Sequence, residues 1–476
     1  MKRNQSPNAF FSGRGRATKF FRGRVASPRR PLWQEPPADE EFCRAPSGRT
    51  AARFPLLALA LAALAAQAQT NPPPLKFTFG LPAPGYTLVT PEMTYSEDTG
   101  FGFEPGASVK VVLGGATEAN ISHALAGNKL FYFSAAVPEG NYRVTVTIGN
   151  PFAASETTVN AELRRLMLQQ IRTGANQFLT RSFLVNVRQA TISTGGLVKL
   201  KAPREITSEA WAWDDKLTLE FIGANPSVAQ IEIELVDVPT VFVIGDSTVC
   251  DQSTEPYNSW GQMLPRFLKP VVAVANHAES GESIASSLGA KRFDKIWSLM
   301  KKGDYLFIQF GHNDMKSTAA NALQSYHDNL GRVVDKARSL GGIPVLCTPV
   351  SRHTFGADGK VSNSFNGYPD AVRNVAREKA VPLIDLQQMT AAFYEAMGDG
   401  ASHRAFATMT EDTHHGDYGS YEVAKCLLLG IQQNKLDLAQ DIVDDFAGFD
   451  PSRPDPIDDF TLPKNPGRNT PTPLGN

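Results

Sequence analysis

The chain has 476 residues, 42% of them hydrophobic and 20% charged, with 47 basic against 48 acidic side chains. At ~150 residues per domain that makes about three units with ample core, in the composition range of globular proteins and outside that of disordered or coiled-coil chains. A net charge of −1 excludes a global basic field for nucleic acid, and four cysteines (43, 250, 347 and 426) without a CxxC pair give neither a disulfide scaffold nor a cysteine zinc site.

Residues 1–70 read as a leader. They are rich in arginine and glycine to residue 53, and PLLALALAALAAQAQ then runs from Pro55 to Gln69. A basic flank, a short apolar segment and the small-x-small end Ala66-Gln67-Ala68 predict a secretory signal cleaved after Ala68. At about 10–14 residues the apolar run is too short to span a bilayer, so no stable membrane insertion is expected. The expected product is secreted or periplasmic, and the length of the preamble suggests a translation start downstream of Met1. Removing residues 1–68 leaves 35 basic and 44 acidic residues, so the basic arm is a leader and not a nucleic-acid contact. Cys43 goes with it, and the three remaining cysteines allow at most one disulfide within the chain.

Residues 71–238 carry strand patterns. Tyr142, Val144, Val146 and Ile148 alternate with polar neighbours, as do Leu217, Leu219 and Phe221, and then Ile231, Ile233 and Leu235. Period-two alternation gives each strand one buried and one wet face, and turn signals such as PEGN (138–141) separate the runs. Many short strands without long helical patterns predict a β-sandwich. AELRRLMLQQI (161–171) fits either a strand or a short helix.

From residue 239 the pattern changes. TVFVIG (240–245), VVAVAN (271–276), YLFIQFG (305–311), IPVLCTPV (343–350) and VPLIDL (381–386) are short apolar runs. Helix-period segments such as 284–302 and 322–340 lie between them, and a last helix is expected from near Tyr418. Strands apolar on both faces and joined by helices predict an α/β fold with a parallel sheet in a three-layer α/β/α arrangement over 239–446. Residues 447–476 read as a proline-rich extended or disordered tail.

Ligands on such sheets bind at the carboxyl ends of strands. There the chain offers Gly245-Asp246-Ser247-Thr248, then Asn276 to Gly281, then Gly311-His312-Asn313-Asp314, and near the C-terminus Glu411-Asp412-Thr413-His414-His415. Taken singly, each has a plain structural explanation: a turn, a polar loop, a hydrogen-bonded surface pair. Their joint occurrence at successive strand ends points to a serine ester hydrolase. Ser247 can supply a hydroxyl nucleophile, a histidine can carry its proton, and a carboxylate three residues earlier can orient the ring. The Ser247 and Gly281 N–H groups and the Asn313 side-chain amide can receive the oxyanion, and the missing Cβ of Gly281 lets backbone approach substrate. Such chemistry implies no metal or organic cofactor.

These residues resemble the SGNH (GDSL-type) hydrolase superfamily. Its named serine, glycine, asparagine and histidine match Ser247, Gly281, Asn313 and His414, in an order and spacing that fit 239–435. IGDSTV, NSWGQML (258–264), YLFIQFGHNDMK (305–316), TPVSRHTF (348–355) and THHGDYGSYEVAKC (413–426) together resemble rhamnogalacturonan acetylesterases, which remove O-acetyl groups from pectic backbones. That resemblance implies an acetylated plant cell-wall polysaccharide as partner. Residues 72–237 also resemble the galactose-binding-like sandwich that precedes the esterase domain in some bacterial members.

One departure concerns the orienting carboxylate. The family pattern is Asp-x-x-His, and aligning Thr413-His414 with Tyr418-Gly419 puts Glu411 in the aspartate position. Taking Asp412 instead pairs it with His415; His414 with Glu411 is the favoured register and Asp412 the substitute. Arg352 fits either a fork donor to a galacturonate carboxylate or a structural loop arginine. Trp260 fits either sugar stacking or a buttress for the loop after Ser247. Trp211 and Trp213, in strand-like spacing, fit core packing better than a sugar platform, and Cys250 reads as a small buried residue. His414, His415 and Asp417 are rejected as a metal set because adjacent histidines rarely face one ion. The competing functions are a GDSL-type lipase or thioesterase, a xylan acetylesterase, and a non-catalytic carbohydrate-binding protein with a decayed hydrolase domain.

Overall fold

In the computed structural model, residues 72–114 and 122–465 are described, so the leader and its signal segment lie outside the described residues. Two five-stranded sheets face each other over the first part of the chain. One runs in the order Gln177–Val187, Gly140–Asn150, Gln230–Leu235, Leu75–Phe79, Thr87–Val89; the other in the order Phe101–Phe103, Phe131–Ala136, Lys216–Ile222, Ser155–Ala161, Arg165–Thr173. The alternating apolar residues read in the sequence face the core, but the expected wet face fails for Lys216–Ile222, where Lys216, Thr218 and Glu220 are buried as well. Val144, Val146 and Ile148 from one sheet and Leu217, Leu219 and Phe221 from the other are fully buried in a shared core with Phe77, Phe79 and Phe133. A smaller three-stranded sheet, Ser227–Val228, His123–Gly127 and Val109–Leu113, adjoins them.

The 161–171 segment resolves to a hairpin. Ser155–Ala161 pairs antiparallel with Arg165–Thr173, and Glu162 and Arg164 turn the chain at positive φ. Trp211 and Trp213 lie not on a strand but on and just after a 3-10 turn, Ala210–Ala212, where both are buried. The Trp213 ring nitrogen donates to Glu205 at 2.8 Å, which makes these rings core and not a sugar platform.

The second part is a five-stranded parallel sheet in the order Ala273–Asn276, Thr240–Gly245, Tyr305–Gln309, Ile343–Cys347, Leu383–Ile384. Numbered along the chain this is 2-1-3-4-5, so the connection reverses direction beside the first strand, and Val241 to Gly245 run in register with Tyr305 to Gln309. Alternate residues of each strand feed two separate cores. Val241, Val243 and Phe307 pack under the helix Asp417–Gln433, whereas Phe242, Ile244, Leu306 and Ile308 pack with helices Arg292–Leu299, Ala322–Ser339 and Tyr368–Glu378. That two-sided burial is why these strands are apolar throughout. Segment 284–302 divides into Ile284–Gly289 and Arg292–Leu299, with Lys291 at φ +62° between them. Cys250, Cys347 and Cys426 are buried and free.

Sandwich and sheet pack as one unit. Their contact is electrostatic as well as apolar: Arg165 meets Asp251 at 2.8 Å, Arg292 meets Glu205 at 2.5 Å, and Lys295 meets Glu139 at 2.6 Å. Residues 447–465 run over the surface of the α/β part with one 3-10 turn, Ile457–Asp459. Phe449 and Leu462 pack on the α/β core, Phe460 lies against Tyr421, and the Tyr418 hydroxyl donates to the Asp455 carbonyl. Among the described residues no helix is long and apolar enough to cross a membrane.

Candidate active site

Ser247 sits two residues beyond the first parallel strand, beside the point where the strand order reverses, the position where open α/β sheets bind ligands. Gly245 is required there, because a Cβ would come within 2.4 Å of the Gln309 carbonyl. Asp246 shapes the turn: its Oδ1 accepts from the Thr248 N–H at 3.0 Å and the Thr248 hydroxyl at 2.8 Å. Burial alone would raise the Asp246 carboxyl, but His312 and these two donors outweigh it and hold it below the usual range.

The histidine arrives from the far end of the chain. Residues 414–415 form an extended segment: Ala407 N–H donates to the His414 carbonyl at 2.9 Å, and Asn258 N–H to the His415 carbonyl at 3.0 Å. Successive residues of an extended chain point to opposite sides. His414 therefore faces the pocket, its Nε2 2.8 Å from Ser247 Oγ. His415 faces the core, stacked on Phe406, its Nε2 2.6 Å from the Tyr394 hydroxyl. Burial first, then His312 and His414, lower the His415 pKa to about 3, so its ring stays neutral.

Glu411 lies behind His414. Its Oε1 accepts from the backbone N–H groups of Asp412, Thr413 and His414 at 3.2, 3.0 and 3.3 Å, and its Oε2 stands 3.2 Å from His414 Nδ1. That last contact is within ion-pair distance but oblique to the ring N–H, as is common before substrate binds. Burial raises the Glu411 carboxyl, but His414 and these N–H groups prevail and its pKa lies below the ordinary value. Asp412, the substitute in the sequence reading, is turned away. Its carboxylate takes the Thr413 hydroxyl at 2.6 Å, and its backbone carbonyl takes the His353 N–H at 2.8 Å.

Ser247, Gly281 and Asn313 converge on one open pocket of about 560 Å³. Among the described residues, neither the Ser247 nor the Gly281 N–H meets a protein acceptor. Gly281 has φ +75°, and a Cβ there would find only Lys201 Nζ within 4 Å, at 3.6 Å. The glycine is thus required by backbone conformation more than by crowding. The Asn313 amide is oriented by both ends, Nδ2 donating to the Glu282 carbonyl at 3.0 Å and Oδ1 accepting from Lys316 Nζ at 2.8 Å.

Of the two residues expected to touch substrate, Arg352 lines the pocket, its guanidinium 5.7 Å from the Phe365 ring. Trp260 does not. It is 1% exposed and donates its ring N–H to Gln309 at 2.8 Å, so it buttresses the sheet and has no face for a sugar. Cys250 is buried, which pushes its thiol far up. Asp417 bonds Asn258 and Lys464 and takes no part in a histidine cluster.

Sequence reasoning missed several wall residues. Tyr257 presents an edge to His414 at 5.8 Å, the Gln252 amide donates to the Ser247 carbonyl at 2.7 Å, and Arg204 reaches the pocket from the sandwich part of the chain. Proximity to Ser247 could have flagged Gln252; nothing in the sequence marks Arg204. Away from the pocket, His353, Asp399 and His403 bring possible metal-ligand atoms within 4.8 Å of one another, but His353 Nε2 already lies 2.8 Å from the Ser402 hydroxyl.

A known family matches the part of the chain that carries these residues. The model of the GDSL-like Lipase/Acylhydrolase family matches residues 243–420. The rhamnogalacturonan acetylesterase RhgT of Bacillus subtilis is 36% identical over 217 residues, 43% of this chain and 94% of that protein. The chain belongs to the GDSL-like lipase/acylhydrolase family. As a family member it is a serine ester hydrolase. Two further relatives of this GDSL-type hydrolase come from the same organism. The probable rhamnogalacturonan acetylesterase YesY is 31% identical over 43% of this chain and 97% of its own length. The uncharacterized esterase YxiM is 27% identical over 69% of this chain and 83% of its own, so its match runs beyond the catalytic part.

Proposed function

We propose that this GDSL-type hydrolase removes O-acetyl groups from rhamnogalacturonan, a pectic polysaccharide, through an acyl-enzyme on Ser247. The observation that carries the chemistry is the 2.8 Å contact between Ser247 Oγ and His414 Nε2 inside an open pocket. In the proposed cycle His414 takes the serine proton as Oγ attacks the acetyl carbonyl, and Glu411 balances the imidazolium. The Ser247 and Gly281 N–H groups and Asn313 Nδ2 receive the oxyanion, where one donor is worth ~10²–10³ in rate. As the intermediate collapses and the bond to the sugar oxygen breaks, His414 protonates that oxygen, which leaves as a hydroxyl. Finally a water, deprotonated by the same ring, attacks the acyl carbon and frees acetate and the serine.

The sugar assignment rests on two supports. Relatives named as rhamnogalacturonan acetylesterases match nearly their whole length. The pocket is also walled by Arg204, Lys316 and Arg352, with Glu411 as the one carboxylate lining it. A cationic wall of this kind suits a uronate polymer and not a neutral acyl chain. Secretion through the Pro55–Ala68 segment belongs to the same reading. N-terminal sequencing of the exported protein should begin at Gln69.

Acetate release from acetylated rhamnogalacturonan, acetylated xylan and a p-nitrophenyl acyl series tests the substrate. The expected order is rhamnogalacturonan first, with acetyl favoured over longer acyl groups and Ser247→Ala inert. Preference for long acyl chains would make it a lipase or thioesterase, and preference for xylan would move the sugar. Absence of turnover and of fluorophosphonate labelling would leave a carbohydrate-binding protein.

A further inference from the structure

The Gly281 N–H belongs to the same peptide group as the Ser280 carbonyl. That carbonyl is not held by the α/β sheet. Lys201 Nζ donates to it at 2.8 Å and Arg204 Nη2 at 3.0 Å, and both side chains come from the sandwich part of the chain, before its strand Lys216–Ile222. We propose that Lys201 and Arg204 are positioning residues for the oxyanion hole, so that the sandwich completes the catalytic centre and is not an appended sugar-binding module. This rests on the esterase reading above.

A trans peptide is planar, and its C=O and N–H point in opposite directions. Two cations on the Ser280 oxygen therefore aim the Gly281 N–H the other way, toward the pocket, where it meets no acceptor among the described residues. Positive φ at Gly281 leaves this peptide few steric restraints of its own, so its plane must be set from outside. Charged donors on a carbonyl also polarise the whole amide and make its N–H a stronger donor.

The two cations are themselves fixed. Lys201 Nζ also bonds Glu282 at 2.8 Å, and Arg204 bonds Glu279 and stands within ion-pair distance of Glu209, Nε to Oε1 3.2 Å. Their backbone is bolted to the catalytic part at two points. Lys199 N–H donates to the Ala290 carbonyl at 2.9 Å, and Glu205, which accepts from the Lys201 N–H at 2.7 Å, is paired with the buried Arg292. The preorganisation that an oxyanion donor needs is thus built from sequence about 80 positions upstream of Gly281.

The test uses the chain from Gln69 onward with neutral p-nitrophenyl acetate, which removes any role of the cations in binding a uronate. Lys201→Met and Arg204→Met should each lower kcat about tenfold, and the double variant about a hundredfold, with KM within twofold, at a temperature where each variant is fully folded. Affinity for an arylboronic acid, which forms a tetrahedral adduct on the serine, should fall in proportion to kcat, a response that a merely structural role would not produce. Lys201→Arg, which still reaches a carbonyl, should keep most of the rate. Should a methionine variant not fold, Arg204→Gln and Lys201→Gln carry the same comparison.

A folded double variant with wild-type kcat overturns the proposal. So does a loss confined to KM on polysaccharide, which would make the two cations substrate-binding residues. A wild-type protein inert toward every acetyl ester overturns the esterase reading itself, and this inference with it.

Discussion

His414 and His415 are neighbours in sequence and work on opposite sides of one extended segment: one imidazole meets Ser247 Oγ at 2.8 Å, the other the buried Tyr394 hydroxyl at 2.6 Å. The first expected outcome follows directly. His414→Ala should abolish acetyl-ester hydrolysis, by ~10³-fold or more in kcat, with little change in melting temperature. His415→Ala removes a buried, stacked ring and should cost ~2–4 kcal/mol of stability while any folded fraction keeps turnover. Kinetics and thermal melts on the two variants separate these effects.

Glu411, and not Asp412, stands at the Nδ1 side of His414. Glu411→Gln keeps an acceptor for the loop N–H groups but loses the charge beside the imidazolium. It should lower kcat by ~10²-fold or more at unchanged KM. Asp412→Asn should leave kcat within about twofold, since among the described residues its carboxylate bonds only the Thr413 hydroxyl. Steady-state kinetics on p-nitrophenyl acetate reads both.

Asp314 should make stability fall as pH rises from the acid range toward neutrality. Burial raises its carboxyl from 3.8 to about 7; the Ile284 N–H opposes the shift and the Asp246 charge adds to it. The folded state thus holds a proton that the unfolded chain has already released. The contribution is complete below the unfolded value and is lost as pH rises through about 7. Between pH 5 and 8 the loss should approach ~2–4 kcal/mol, and Asp314→Asn, neutral at every pH, should flatten that slope in denaturant titrations.

Arg352 lines the pocket with its guanidinium near Phe365, and among the described residues its Nε has no hydrogen-bond partner. Arg352→Ala should raise KM for acetylated rhamnogalacturonan about tenfold or more and leave p-nitrophenyl acetate kinetics within about twofold. Equal losses on both substrates would show a loop arginine and not a uronate ligand.

Much of this molecule was legible before folding. Each parallel strand announces itself because residues such as Val241 and Phe242 must satisfy cores on opposite faces, and a sandwich strand such as Gln230–Leu235 because its alternate residues Ile231 and Ile233 are the buried ones. The loops that line the candidate site were legible too, since strand ends are where such sheets place ligands. Other features were not. The hairpin at 155–173 hid behind a pattern that two conformations share, and Trp260 looked available to substrate until its burial against Gln309 was seen.

By itself, then, the sequence determined the element pattern, the α/β frame and the set of polar groups at its strand ends, because periodicity and turn chemistry are local properties. Tertiary structure alone decided which of two adjacent imidazoles meets the serine, which carboxylate stands behind it, and that Lys201 and Arg204 close on the Ser280 carbonyl. Those outcomes depend on the phase of an extended strand and on contacts between segments distant in the chain. Both are set by how whole faces pack, and no local run of residues encodes them.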